Sequence, residues 1–284
     1  MKKIRLDQIL VERKLTESRS QAQRFIMAGQ VRIAGQVLLK PSVMVDPEAQ
    51  ISLEESMKYV SRGAQKLEAA LDEFGLSHLD GFVCADVGAS TGGFTDCMLD
   101  HGAQKVYAID VGHNILHWKL RTDARVVVME NTNARYLVSL PEAVDFITID
   151  VSFISLETIL PVIQHWLKPD GGQVVALIKP QFEAGRKEAA RGRGVIRDKA
   201  VHRAVLSKII AYAENEGWGI NGLILSPITG PKGNVEFLVH LEYPRVNSIN
   251  GSARIDELLV DKTNMNVDLP QDTRHGRGLD GTDL

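Results

Sequence analysis

Two groups of residues in this 284-residue chain have the types and spacing that chemistry requires. The first is Asp86-Val87-Gly88-Ala89-Ser90-Thr91-Gly92-Gly93-Phe94-Thr95, which closes one apolar run and opens a helix-like segment. Glycines here let the backbone approach a ligand that a Cβ would exclude. Asp110 ends the next apolar run, 24 residues after Asp86, where an acid bonds a pair of ribose hydroxyls. A nucleotide-like ligand across this crevice follows. The dinucleotide fingerprint requires G-x-G-x-x-G, whereas from Gly88 the chain reads G-A-S-T-G-G, without a glycine at the third position. That weakens a nicotinamide-dependent oxidoreductase. The second group is Lys66, Asp150, Lys179 and Glu236. A lysine at the end of an apolar strand and before Pro180 needs acidic partners, and two acids with two lysines satisfy one another. They form either a reactive cluster or a plain ion-pair network.

The elements that must hold these groups alternate regularly. Apolar runs at Phe82–Val87, Val106–Asp110, Val126–Met129, Val144–Asp150, Gln173–Ile178, Gly222–Leu225 and Glu236–Leu241 read as seven strands. Helices are expected around Lys66–Phe74, from Gly93, at Ile115–Leu120, Ile154–Leu167 and Lys199–Glu216. Strands buried on both faces and separated by helices indicate a largely parallel sheet. In such a sheet the strand carboxyl ends line the ligand crevice, so Asp150 and Lys179 should face it. Asn131 and Asn133 follow the third strand at the same edge of the sheet.

Ahead of this lies a smaller module. Residues 1–45 carry nine basic and three acidic residues, a net +6, so the other 239 residues total −9. Leu6, Ile9, Leu10 and Leu15 space an amphipathic helix over Arg5–Lys14. A second helix is expected from Arg19 to Ala28, stopped by Gly29, and then a hairpin of Val31–Ile33 with Val37–Leu39. Arg5, Lys14, Arg19, Gln23, Arg24 and Arg32 suit phosphate contacts. Residues 46–58 read as a polar linker and 244–284 as a loosely attached polar tail. Gly185–Arg197, with Arg186 and Arg193, is a basic glycine-containing segment that either closes on phosphate or is simply solvated. Phe182 beside it either stacks on an extruded base or is buried.

Composition excludes several classes. Apolar residues at 44% and charged residues at 24% describe a globular chain. Two cysteines, Cys84 and Cys97, are too few for a disulfide framework and fit a reducing compartment. The start of the chain has no signal-peptide core, and no window is apolar enough to span a bilayer, so a cytoplasmic location is expected. His113, His117, His165 and His202 lack metal-ligand spacing, and no metal is expected.

Two resemblances sharpen this reading. The segment RLDQILVERKLTESRSQAQRFIMAGQVRIAGQVLLKPSVMV resembles the S-four RNA-binding domain, with Ala34 where asparagine is usual. The pattern D-x-G-x-x-x-G-G resembles the S-adenosylmethionine site of class I methyltransferases, in which Asp86, Gly88, Gly92 and Gly93 would hold the methionine end, Asp110 the ribose, and Asn131 and Asn133 the adenine, with Ser90, Phe94 and Thr95 also among the cofactor-binding residues. RGAQKLEAAL, DVGASTGGFTD, IDVSFISL, LIKPQFE and GNVEFLVHL together resemble the TlyA-type family, an S-four domain joined to an FtsJ-like 2′-O-methyltransferase domain. The resemblance implies a Lys-Asp-Lys-Glu tetrad on Lys66, Asp150, Lys179 and Glu236, with Asp150 also beside the cofactor. It further implies methylation of cytidine ribose in ribosomal RNA or ribosomal subunits. The expected fold is α/β: a small α+β module over 1–45, then a Rossmann-like domain over 59–243 with a seven-stranded mixed sheet. Members of the family are also called hemolysins. A membrane-active hemolysin would need an amphipathic membrane segment, which is not visible here, and an RNA-binding regulator with an inactive fold would not need all four tetrad residues.

Overall fold

The computed structural model describes residues 3–27, 30–53, 58–230 and 232–260. The chain divides into two compact units, Met1–Ser61 and Arg62–Leu284. In the first, β1 (Ile4–Arg5) leads into α1 (Leu6–Glu12), followed by α2 (Arg19–Met27), β2 (Val31–Ile33), β3 (Gln36–Val37), β4 (Met44–Val45) and β5 (Ile51–Leu53). Leu6, Ile9 and Leu10 of α1 pack with Ala22 and Ile26 of α2 and with Val31 in a small core. The three-four spacing of these apolar positions accounts for both helices. Arg5 is extended rather than helical because it pairs with Met44 across β1 and β4.

The expected linker needs correction. Ile51–Leu53 pairs antiparallel with β2, which makes a three-stranded sheet of order β3-β2-β5. The short strand's Ile51 and Leu53 pack against the core, a contribution that the acidic residues around them conceal in the sequence. Ala28 and Gly29, the expected helix stop, lie outside the described residues, as do 54–57 of the linker.

The second unit contains α3 (Ala64–Glu73), β6 (Val83–Val87), α4 (Gly93–Asp100), β7 (Lys105–Ile109), α5 (Trp118–Arg121), β8 (Val126–Met129), β9 (Phe146–Ile149) and α6 (Leu156–Ile163). It continues with β10 (Gly172–Ile178), α7 (Pro180–Glu183), α8 (Arg186–Arg191), α9 (Lys199–Asn215), β11 (Gly219–Leu225), β12 (Phe237–Tyr243) and α10 (Gly251–Val260). The seven strands form one sheet of order β11-β12-β10-β9-β6-β7-β8. β12 is antiparallel to both neighbours, whereas the pairs among β10, β9, β6, β7 and β8 are parallel. Strand order reverses beside β6, whose partners are β7 on one side and β9 on the other, and this places the ligand crevice at their carboxyl ends.

Two further expectations change. The helix read at Ile115–Leu120 is only Trp118–Arg121, because Glu130 captures the backbone N–H groups of Asn114, Ile115 and Leu116 at 2.8, 2.8 and 3.0 Å. Within the expected tail, 251–260 forms α10, and its Ile255 is buried in the main core. Gly251 abuts Ile210 of α9, where an added Cβ would lie 2.5 Å from a side-chain methyl. Residues 261–284 lie outside the described residues.

Candidate active site

The glycine loop between β6 and α4 is held from beneath. Asp86 is enclosed and accepts hydrogen bonds from the Thr95 hydroxyl at 2.7 Å and the Thr148 hydroxyl at 3.0 Å. Burial pushes its carboxyl up to about 6, and the charge of Asp150 adds to this, against the opposing effect of the two hydroxyls. Phe94 and Thr95 are enclosed as well. These three residues, grouped with the cofactor contacts by the sequence, therefore build the loop from its buried side.

Gly88 has φ +86°, and a Cβ there would lie 2.5 Å from the Asp150 carbonyl oxygen. Only glycine fits both restrictions. Gly92 enters α4 at φ +95°. Ser90, also left-handed at φ +52°, donates its backbone N–H to Asp110 Oδ2 at 2.8 Å. The other oxygen, Oδ1, accepts from the Gly112 N–H at 2.7 Å. One carboxylate thus ties the first crevice loop to the second. Asn131 meets His113 at 3.1 Å, and Asn133 accepts from the Arg135 N–H at 3.1 Å. Both are exposed at the end of β8, and their bonds here are within the loop.

Lys66, Asp150, Lys179 and Glu236 line one cleft of about 550 Å³, at the carboxyl ends of β9 and β10 and the start of β12. They come from positions as much as 170 residues apart. Lys66 Nζ lies 2.6 Å from Glu236 Oε2, with side-chain exposures of 8% and 1%. Lys179 Nζ lies 2.5 Å from Asp150 Oδ1 and donates to the Ser152 hydroxyl at 3.2 Å. Gln181 supports the first pair by donating to Glu236 Oε1 at 3.1 Å. Gly230 leaves room for this carboxylate, since a Cβ there would lie 2.5 Å from Oε1.

Several contributors were not legible in the sequence. Phe153 is 89% exposed, holds φ +64° and packs its ring 4.7 Å from that of Phe182 at the same cleft. An exposed aromatic on a left-handed backbone is an uncommon arrangement. Asn234 is buried in the cleft wall; its amide donates to the Gly194 carbonyl at 2.9 Å and its oxygen accepts from the Ile196 N–H at 2.9 Å. The basic segment after α7 is thereby pinned beside the tetrad, and Arg193 is exposed on it at φ +50°. The side chain of Arg186 lies outside those described. Glu130 is held at about 2 by the Leu116 N–H first, then by Arg121 and two further backbone N–H groups. Its position after an apolar strand gives no such hint.

In the first unit, Arg5, Arg19 and Gln23 converge on Asp7. Arg24 is exposed on α2, and Lys14 is exposed in a left-handed turn at φ +57°. Arg32 instead reaches the Gly35 carbonyl within its own hairpin. Among the described residues there is no cluster of three or more His, Cys, Asp or Glu suited to a metal, and no helix is long and apolar enough to cross a membrane.

A sheet of this order, with a glycine-loop crevice beside a lysine-acid cluster, defines a methyltransferase fold. The description FtsJ-like methyltransferase matches residues 59–243, and S4 domain matches 4–51. The chain is 43% identical to the Mycobacterium tuberculosis 16S/23S rRNA (cytidine-2′-O)-methyltransferase TlyA, over 84% of this chain and 90% of that one. It is 42% identical to Hemolysin A of Brachyspira hyodysenteriae, over 84% of this chain and 99% of the relative. A solved structure from Streptococcus thermophilus, also described as a hemolysin, shares 45% identity with a TM-score of 0.70, covering 91% of this chain and 95% of that one. The chain belongs to the TlyA-type family, which joins an S4 domain to an FtsJ-like methyltransferase domain.

Proposed function

We propose that this protein transfers a methyl group from S-adenosylmethionine to the 2′-hydroxyl of a cytidine ribose in ribosomal RNA. The observation that carries the reading is the convergence of Lys66, Asp150, Lys179 and Glu236 in one cleft beside the glycine loop. The residues present fit the cofactor. Gly88 lets the glycine loop close directly against the Asp150 backbone beside the cleft, and Asp110 offers a carboxylate to a ribose diol at the end of β7. When bound there, S-adenosylmethionine supplies an electrophilic methyl on a sulfonium.

The chain's own groups then address a weak nucleophile. An alcohol attacking in line gains most from alignment, which supplies more than proton removal alone. Lys179, paired with Asp150 and bonded to Ser152, presents a fixed ammonium that orients the hydroxyl and stabilises the negative charge growing on its oxygen. Methyl transfer to that oxygen would release the hydroxyl proton to this cluster or to solvent. Lys66 and Glu236 wall the same cleft, and Phe153 with Phe182 offers an aromatic face for an extruded base. The first unit grips folded RNA through its basic side chains, largely by backbone and shape. Such a substrate places the protein in the cytoplasm.

The test supplies labelled S-adenosylmethionine to unmodified ribosomal subunits with wild type and with Lys179→Ala. Nuclease digestion and mass spectrometry then locate the label. A 2′-O-methyl nucleotide from wild type only is the expected result. No transfer to either subunit or to naked ribosomal RNA, despite measured cofactor binding, would overturn the substrate assignment.

A further inference from the structure

Asp7 is a buried charge that the proposed reaction does not use. It has no solvent exposure, yet both its oxygens are engaged. Arg5 donates from Nε to Oδ1 and from Nη2 to Oδ2, each at 2.9 Å. Arg19 Nε and Gln23 Nε2 donate to Oδ2 at 3.1 and 3.0 Å. The two arginine side chains remain 38% and 57% exposed. Arg5 above all, with Gln23 and Arg19, holds the Asp7 carboxyl well below the usual carboxylate range.

We propose that Asp7 is a positioning residue: it fixes the inner edges of the Arg5 and Arg19 guanidiniums so that their outer edges form a preset double fork for RNA phosphate oxygens. The proposal rests on the RNA-binding reading of the first unit and adds the element that orients it. A guanidinium is planar and carries five N–H donors. Arg5 commits two of them to Asp7 and Arg19 commits one, which leaves outward donors on each exposed side chain. An arginine already held at one edge loses less freedom when it engages a phosphate. Charge favours a polyanion as the partner. Residues 1–45 hold only three acids, and one of them is Asp7 itself, sealed beneath the arginines.

The sign of one affinity change tests this. Removing a negative charge from beneath two cations raises the local positive potential, so simple electrostatics predicts that Asp7→Asn binds RNA more tightly. A positioning role predicts the reverse. Filter binding of the full chain to 16S and 23S ribosomal RNA across a salt series measures both affinity and slope. The expected result for Asp7→Asn is binding weaker by roughly tenfold, the scale of one charge-assisted contact. The slope of log affinity against log salt should fall by about 1 to 2, corresponding to two phosphate contacts. Unchanged or tighter binding would overturn the proposal.

Because Asp7→Asn can loosen the first unit, Arg19→Lys provides a second route. It keeps the charge and leaves the Arg5–Asp7 pair in place, but it loses the fork. Weakening is expected here too, with the double variant no worse than Asp7→Asn alone, since both act on one contact set. Wild-type affinity in Arg19→Lys would overturn the proposal even if Asp7→Asn fails to fold. A wild-type chain that ignores ribosomal RNA but binds an acidic peptide would overturn the RNA reading itself. Wild-type RNA binding with unimpaired variants would overturn only the role of Asp7.

Discussion

Replacing Lys66 with methionine separates a reactive cluster from a plain ion-pair network. Lys66 and Glu236 are enclosed, 2.6 Å apart, with side-chain exposures of 8% and 1%. Among the described residues, removing the lysine leaves Glu236 with the Gln181 amide as its side-chain donor. Breaking a buried pair from one side typically costs about 3–5 kcal/mol, because the remaining charge is uncompensated. In a unit of this size each kcal/mol moves the melting temperature by about 2–4 °C, so Lys66→Met should melt roughly 10 °C lower. Neutralising both partners is different, since replacing a whole buried pair is often close to neutral. The double variant Lys66→Met/Glu236→Gln should therefore recover most of the lost stability. Calorimetry on the two variants and wild type measures this directly. Methyl transfer to ribosomal subunits, assayed on the same samples, should be lost in both variants. A double variant that is stable and still transfers methyl groups at the wild-type rate would refute the functional reading of this pair and leave it a structural bridge.

Three further outcomes are expected. Gly88→Ala places a Cβ 2.5 Å from the Asp150 carbonyl oxygen at φ +86°, so it should lose about 1–3 kcal/mol of stability together with cofactor affinity; titration calorimetry with S-adenosylmethionine showing wild-type affinity would count against the close approach. Asp86 rises from 3.8 to about 6 on folding, so its contribution to stability is fully present below about pH 4 and is lost as the pH rises through 6. That amounts to about 3 kcal/mol, and Asp86→Asn should flatten the stability profile between pH 4 and 7; an unchanged profile would remove the argument. Phe153→Ala, at a position 89% exposed, should leave the melting temperature almost unchanged. Its transfer efficiency to RNA should fall about tenfold or more through lost stacking, without a change in cofactor affinity.

Much of the fold was legible because burial leaves a periodic trace. Strands buried on both faces read as continuous apolar runs, and all seven strands of the large sheet were found that way, with β11 extended forward to Gly219. The glycine loop and Asp110 were legible because close backbone approach and strand-end acids restrict residue type. Short segments were misread when their burial depends on distant partners. Ile51–Leu53 is a strand because β2 lies beside it, and 251–260 is an ordered helix because α9 and β11 receive it. Neither partner can be inferred from the segment itself.

The amino-acid sequence alone determined the order of elements and the basic character of the first unit, and it marked Lys66, Asp150, Lys179 and Glu236 as candidates for one cluster. Each follows from local pattern, composition or motif. Tertiary structure decided which charges meet. It paired Lys66 with Glu236 and Lys179 with Asp150, placed exposed Phe153 against Phe182 at their cleft, and sealed Asp7 beneath two arginines. The reason is physical: an ion pair between residues 170 positions apart exists only when sheet order brings their elements together. Its desolvation, which sets both its cost and its chemical use, depends on everything packed around it.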